Sequence, residues 1–271
     1  MVSSSPSNAP QSCPHVPPYM TTPLYTVACL KNRLLASDVY EIVLKKPANF
    51  TFTPGQFVLF QVPLLKNPKD VQPRAYSIAS TPEEEELIFI IRLKSGGRSS
   101  IWIENILKAG MYVQFQGPFG LFLLDRTTPK DYLFICTGAG IGPFRSMILD
   151  HMKRPVLCHP EPKKAQHDTD SKRIDLIFGV RNEAELFWQE DLQELAQKHE
   201  NFFIHLALSK ASDQWKGHRG RVQTLVPLIT KDFSNKNVYL CGNPDMTTEV
   251  KKLCLEEWGV RKEDLHVEGY M

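Results

Sequence analysis

An apolar run at 131–136 passes straight into Gly138-Ala139-Gly140-Ile141-Gly142-Pro143, and a helix-like segment, 144–152, follows. A buried strand that feeds a glycine turn and then a helix limits what can surround it. The chain has to return over the sheet so that later strands lie parallel to the first. The rest of this half agrees: 174–180, 201–207 and 238–240 read as further buried strands, with 183–199 and 246–257 as helices between them. The expectation is a doubly wound α/β parallel sheet. The turn departs from the G-x-G-x-x-G dinucleotide fingerprint, because Pro143 follows Gly142. Its place after a buried strand still points to a nucleotide, whose phosphates favour the amides at a helix start.

Upstream the rhythm is different. Segments 25–30, 39–45, 56–62, 87–93 and 112–116 are short and rich in β-branched or aromatic residues, and Pro54-Gly55, Pro63, Pro82 and Gly110 punctuate them. One helix-like stretch, 99–107, interrupts the series. Short strands at this spacing predict a small antiparallel β-barrel. The chain therefore divides into a Ser- and Pro-rich flexible tail at 1–20, a barrel at 21–127 and an α/β domain at 128–271, with the junction near 127–130. Two domains suit a length of 271 residues. The stretch 154–173, polar and with three prolines, reads as an exposed insertion.

Composition excludes several classes. A formal charge of +2 lacks the basic excess of a nucleic-acid binder. No apolar run reaches the roughly 18 residues of a membrane span, and no basic segment followed by an apolar one marks a secretory signal. The cysteines, Cys13, Cys29, Cys136, Cys158, Cys241 and Cys254, include no C-x-x-C pair. They read as reduced thiols of a cytoplasmic protein, with neither a disulfide framework nor an iron–sulfur site of its own. Cys13-Pro14-His15 and Cys158-His159-Pro160 lack zinc spacing and read as unrelated loops, so no metal is expected.

Four further motifs carry chemistry. In Arg74-Ala75-Tyr76-Ser77, Arg offers a planar fork for phosphate, Tyr an aromatic face and Ser a small hydroxyl. In Ser95-Gly96-Gly97-Arg98-Ser99-Ser100, paired glycines let backbone amides approach a phosphate at a helix start, which Ser99 or Ser100 could also cap. Cys241-Gly242-Asn243-Pro244 ends a predicted parallel strand and so faces the ligand crevice of such sheets. Glu268-Gly269-Tyr270 lies at a position where chains commonly fray.

Taken in order, Arg-x-Tyr-Ser, Gly-x-x-Ser, the glycine–proline turn, Cys-Gly and Glu-x-Tyr resemble the ferredoxin–NADP reductase superfamily over about residues 24–271. The resemblance implies an FAD-binding barrel followed by a nucleotide-binding α/β domain. It implies that Arg74 and Ser99 bind FAD phosphates with Gly96, Gly97 and Arg98 beside them. Tyr76 would stack on the flavin and Ser77 approach its N5 edge. Gly138, Gly140 and Pro143 would shape the dinucleotide pocket, and Cys241 would sit beside the nicotinamide. Glu268 would support proton or electron transfer near Ser77, and Tyr270 would cover the second flavin face. The plant-type pattern ends on that tyrosine, whereas here Met271 follows it.

In the region where the family holds the adenosine ribose stand Ser209, Lys210, Arg219 and Arg221, a set suited to the 2′-phosphate of NADPH. Trp215-x-Gly217 resembles the loops of NADH-using relatives, and Asp213 is near, so NADH stays open while the basic set favours NADPH. The expected activity is an FAD-dependent NAD(P)H oxidoreductase exchanging electrons with a separate carrier such as ferredoxin or flavodoxin. The alternatives are an NADH-dependent reductase component for an oxygenase or cytochrome, and a non-catalytic nucleotide-binding protein of the same fold.

Overall fold

A computed structural model describes residues 22–64, 67–153 and 172–270. The tail at 1–20, both cysteine–histidine segments, the insertion up to residue 171 and Met271 lie outside the described residues. The first half contains β1 (Leu24–Ala36), β2 (Val39–Lys45), β3 (Phe57–Leu64), β4 (Asn67–Ser77), β5 (Glu86–Arg92) and β6 (Tyr112–Phe119), antiparallel in the order β4-β3-β6-β1-β2-β5. Alternation decides which side chains turn inward. Val58, Phe60 and Val62 of β3 meet Ile42 and Leu44 of β2, Leu87, Phe89 and Ile91 of β5, and Val113 and Phe115 of β6 in one core. Helix α1 (Arg98–Asn105) adds Trp102 and Ile103 to it. The antiparallel barrel is as expected, and the sequence pattern had missed only β4. Its two prolines argue against a central strand, and it occupies the sheet edge where prolines are tolerated.

The second half contains β7 (Asp131–Thr137), α2 (Ile141–Lys153), β8 (Ile174–Val180), α3 (Gln189–Lys198), β9 (Phe202–Leu208), β10 (His218–Arg219), α4 (Val222–Ile229), β11 (Lys236–Gly242), α5 (Pro244–Glu256) and β12 (Leu265–Gly269). All its strand pairs are parallel, in the order β10-β9-β8-β7-β11-β12. Helices α4 and α5 cover one face of this sheet, and α2 and α3 the other. Every residue of β8 is buried, as a strand covered on both faces requires. Pro143 lies in the first turn of α2, where a missing N–H costs no hydrogen bond.

Two segments differ from expectation. The continuous helix read at 183–199 is instead a 3₁₀ turn at Glu183–Glu185 followed by α3, because Trp188 adopts φ 56° between them. The end of the chain is no frayed tail either. Backbone pairing with β11 makes 265–269 a strand, with Cys241 in register with Glu268, and the Tyr270 N–H donates to the Gly242 carbonyl at 3.0 Å. Among the described residues, no helix is long and apolar enough to cross a membrane.

The two halves share a core. One apolar cluster joins Ala36, Val39, Ala79, Ile90 and Phe122 of the barrel half to Phe134, Ala139, Ile141, Phe144 and Met147 of the α/β half. Beside it the buried Ser146 hydroxyl donates to the Ser80 carbonyl at 2.6 Å. The Arg145 guanidinium donates to the Ala79 carbonyl at 2.8 Å and pairs with Glu84 at 3.1 Å.

At the opposite, amino end of the parallel sheet, Asp175 is 1% exposed and is surrounded by His205 at 2.9 Å, Arg173 at 2.8 Å and Lys236 at 3.5 Å. Burial pushes its carboxyl up, but the His205 and Arg173 hydrogen bonds and the charges of Arg173 and Lys236 outweigh this and hold it well below the ordinary carboxylate range. A depressed folded-state pKa contributes stability that is complete above the unfolded value of about 4 and declines progressively as pH falls from there through the folded value. Asp175→Asn is expected to cost about 2 kcal/mol at pH 7. In denaturant titrations repeated at pH 7 and pH 3, the advantage of the wild type should be smaller at the lower pH, though not abolished. An equal advantage at both would overturn this account.

Candidate active site

Residues brought to the junction of the two halves come from both of them. On β4, Arg74 donates to Gln72 at 2.6 Å and to the Pro73 carbonyl at 3.1 Å. Tyr76 packs edge-on to Phe60, with ring centroids 4.9 Å apart, and its hydroxyl hydrogen-bonds with Ser99. Burial, set against that hydrogen bond, leaves the Tyr76 phenol above its ordinary range. Facing them is the start of α1. Gly97 is its N-cap and no side chain caps the helix, so the first-turn amides are left to other partners. Ser100, one of the two expected caps, instead accepts the Lys94 N–H at 2.8 Å. Gly96 has φ 71°, and a Cβ there would meet open space, so backbone rather than side chain lines the turn. Uncapped amides and the guanidinium groups of Arg74 and Arg98 are donors of the kind a diphosphate takes. On this observation the residues fit the phosphates of FAD.

On the other side, β7 ends at Gly138, φ 53°, and a single 3₁₀ turn, Gly138–Gly140, leads into α2. A Cβ on Gly140 would lie 2.4 Å from the Cys241 carbonyl oxygen, so only glycine lets the two loops close. Thr137, which the sequence reading passed over, braces the same place, its hydroxyl accepting the Asn243 N–H at 3.1 Å. Asn243 in turn caps α5 by accepting from the Asp245 and Met246 amides, and Pro244 takes the first helical position. That Asn-Pro pair is a helix-start signal visible in sequence.

Between these two regions β4 of the barrel half meets β12 of the α/β half. Ser77 Oγ donates to Glu268 Oε1 at 2.9 Å, joining positions 191 residues apart. Cys241 lies in register beside Glu268 and is 0% exposed. The Tyr270 hydroxyl hydrogen-bonds with both Ser77 and Cys241, and its ring packs on the shared apolar cluster. Burial raises the Glu268 carboxyl, and the Ser77 hydrogen bond only partly offsets it. Burial also raises the Cys241 thiol, with the Glu268 charge adding to it. A part-buried carboxyl moved up from its usual range and held by a hydroxyl is equipped to hold and move a proton.

The remaining predicted residues stand apart from this centre, beyond the carboxyl ends of β8 and β9. The Ser209 and Lys210 amides donate to the Val180 and Arg181 carbonyls, leaving both side chains exposed. Arg219 lies 3.7 Å from Asp213, and Arg221 lies 3.9 Å from Glu249. The Trp215 indole donates to the His218 carbonyl and folds over Gly217, where a Cβ would come within 2.6 Å of the ring. Trp215-x-Gly217 is therefore a self-contained turn that presents the neighbouring basic residues.

Residues 30–123 match the family model described as an oxidoreductase FAD-binding domain, and residues 134–252 match the oxidoreductase NAD-binding domain. Ferredoxin–NADP reductase B of Sorangium cellulosum is 30% identical over 228 residues, covering 82% of this chain and 86% of that protein. The reductase component of phenol 2-monooxygenase from a Pseudomonas species is 32% identical over 216 residues, 78% of this chain but only 56% of the relative. Among solved structures, the cytochrome P450 reductase of Amycolatopsis superposes with a TM-score of 0.77 at 25% identity, over 92% of this chain and 71% of that one.

Proposed function

We propose, because the chain belongs to the ferredoxin–NADP reductase superfamily, that it draws electrons from NADPH or NADH and delivers them to a separate one-electron carrier such as a ferredoxin or flavodoxin. It is an FAD-dependent NAD(P)H oxidoreductase. FAD, when bound, supplies a centre that accepts a hydride and returns electrons singly. The Ser77–Glu268 hydrogen bond carries the assignment of the site, since it joins the two halves.

In this reading Arg74, Arg98, Ser99 and the amides after Gly96 and Gly97 would hold the FAD phosphates, and Tyr76 and Tyr270 would offer aromatic faces to its ring. Gly138, Gly140 and Pro143 shape the seat of the second nucleotide. Ser77 and Cys241 orient the reacting edge, and Glu268 holds the proton at its carboxyl. Tyr270 has to leave Cys241 before a nicotinamide can take its place, so the aromatic acts as a gate. An anaerobic stopped-flow mix of FAD-loaded protein with NADPH and NADH separately tests the reading. Bleaching of the flavin band supports it, and no bleaching by either nucleotide overturns it.

Ser209, Lys210, Arg219 and Arg221 favour NADPH. Lys210→Ala combined with Arg221→Ala is expected to raise KM for NADPH about tenfold and to leave KM for NADH within about twofold, as loss of phosphate contacts implies. Equal changes for both nucleotides would remove the preference. The likeness to the phenol 2-monooxygenase reductase component supports a second reading, an NADH-using reductase that serves an oxygenase. A panel of acceptors, with ferredoxin and flavodoxin on one side and oxygenase components on the other, separates the two.

A further inference from the structure

On β4, Gln72, Arg74 and Tyr76 share one face, because alternate strand residues point the same way. The register between β3 and β4 shifts just before Val71, where Pro63 pairs with Val71 but Leu64 pairs with Asn67. Such an irregularity re-aims side chains, and here the Asp70 carboxylate reaches across to α1. Arg98 donates to Asp70 from both Nη1 and Nη2, at 3.3 and 3.4 Å, and touches its carbonyl at 3.5 Å. Ser99, the next residue of the helix, meets Tyr76. The start of α1 is thus tied to β4 at two points, and Arg74 lies between those points along the strand.

We propose that the Asp70–Arg98 pair is a clasp on the outer end of the FAD diphosphate cradle and sets how slowly the cofactor leaves. The proposal rests on the reading that Arg74, Gly96, Gly97 and Ser99 hold that diphosphate. Asp70 is a positioning residue that acts through Arg98. Arg98, with side-chain exposure of 22%, is held by a carboxylate that is itself 48% exposed. A guanidinium has five donors in a fixed plane. Asp70 engages two of its nitrogens and fixes the plane while donors remain for a second anion. Without Asp70, Arg98 becomes one of many exposed arginine rotamers, and the cradle opens at that end. An ion pair this exposed contributes modestly and is weakened by salt, so the effect falls on retention rather than on assembly of the site.

Release of FAD from the loaded protein, followed by the rise of flavin fluorescence after dilution, tests the clasp. Asp70→Ala and Asp70→Asn are each expected to speed release about three- to fivefold, the range of a partly exposed bidentate pair. Arg98→Lys should also speed it, because the charge stays but the fork is lost. Asp70→Ala should add nothing in an Arg98→Ala background, and the gap between wild type and Asp70→Ala should narrow as salt rises. Release from Asp70→Ala at the wild-type rate, or slower, overturns the clasp while leaving the cofactor site standing. A wild-type protein that takes up no FAD removes both.

Discussion

Ser77→Ala and Glu268→Ala each slow flavin reduction by NAD(P)H about a hundredfold while FAD stays bound, the size expected when a hydroxyl or carboxyl that steadies a developing charge is removed. The expectation follows from the 2.9 Å contact between them and from the upward shift of Glu268 through burial. Single-turnover stopped-flow on FAD-saturated protein measures it. The pH dependence adds a second readout. The wild-type rate should show an ionisation above the ordinary carboxylate range, and Glu268→Gln should lack it. Loss of FAD from either alanine variant would mean that these residues hold the cofactor rather than serve the reaction. An unchanged rate would remove them from the site.

Gly140→Ala is the second large effect, and it arises from sterics alone. The added methyl group meets the Cys241 carbonyl oxygen at 2.4 Å and its carbon at 2.6 Å, backbone atoms that no rotamer can move aside. The cost is about 3 kcal/mol, the upper end for overpacking, which lowers Tm by about 6–12 °C in a chain of this size. Because the displaced loop is the one that carries Cys241, KM for the nucleotide should rise more than tenfold along with the loss of stability. Thermal unfolding and steady-state kinetics on the same preparation check both. A variant with wild-type Tm and wild-type KM would show that the two loops part easily.

Patterns local in the chain were legible. The apolar run at β7 before the glycine turn announced the parallel sheet, and short β-branched or aromatic segments punctuated by proline and glycine announced the barrel. Arg74, Tyr76, Ser77, Cys241 and Glu268 were visible as residue types, and the meeting of Glu268 with Ser77 was expected from the family resemblance but not from spacing or pattern. Ser77 and Glu268 face each other only because β12 pairs with β11 and the two domains close on a shared core. Pairing between distant strands leaves no trace in spacing. β12 itself was missed because its five residues, ending in Glu268 and Gly269, offer little strand pattern of their own. Trp188 illustrates the opposite error. Helical periodicity across 183–199 concealed a break that depends on a left-handed backbone at a large aromatic. Asp70 was silent for a third reason: its role depends on a register shift that only the paired strand reveals.

The apolar cluster shared by the two halves bears on how such reductases can be recombined. Ala79 and Phe122 belong to the barrel half, yet they complete the packing around Phe144 and Met147 of the other half. The modules are therefore separable on paper, at the stretch between β6 and β7, but not as interchangeable parts. A barrel grafted from a relative brings its own side chains to this seam, and any mismatch in volume is felt where Ser77 has to find Glu268. The inheritable unit is the fitted pair of faces, and the alignment of the reacting groups is a property of that fit rather than of either domain.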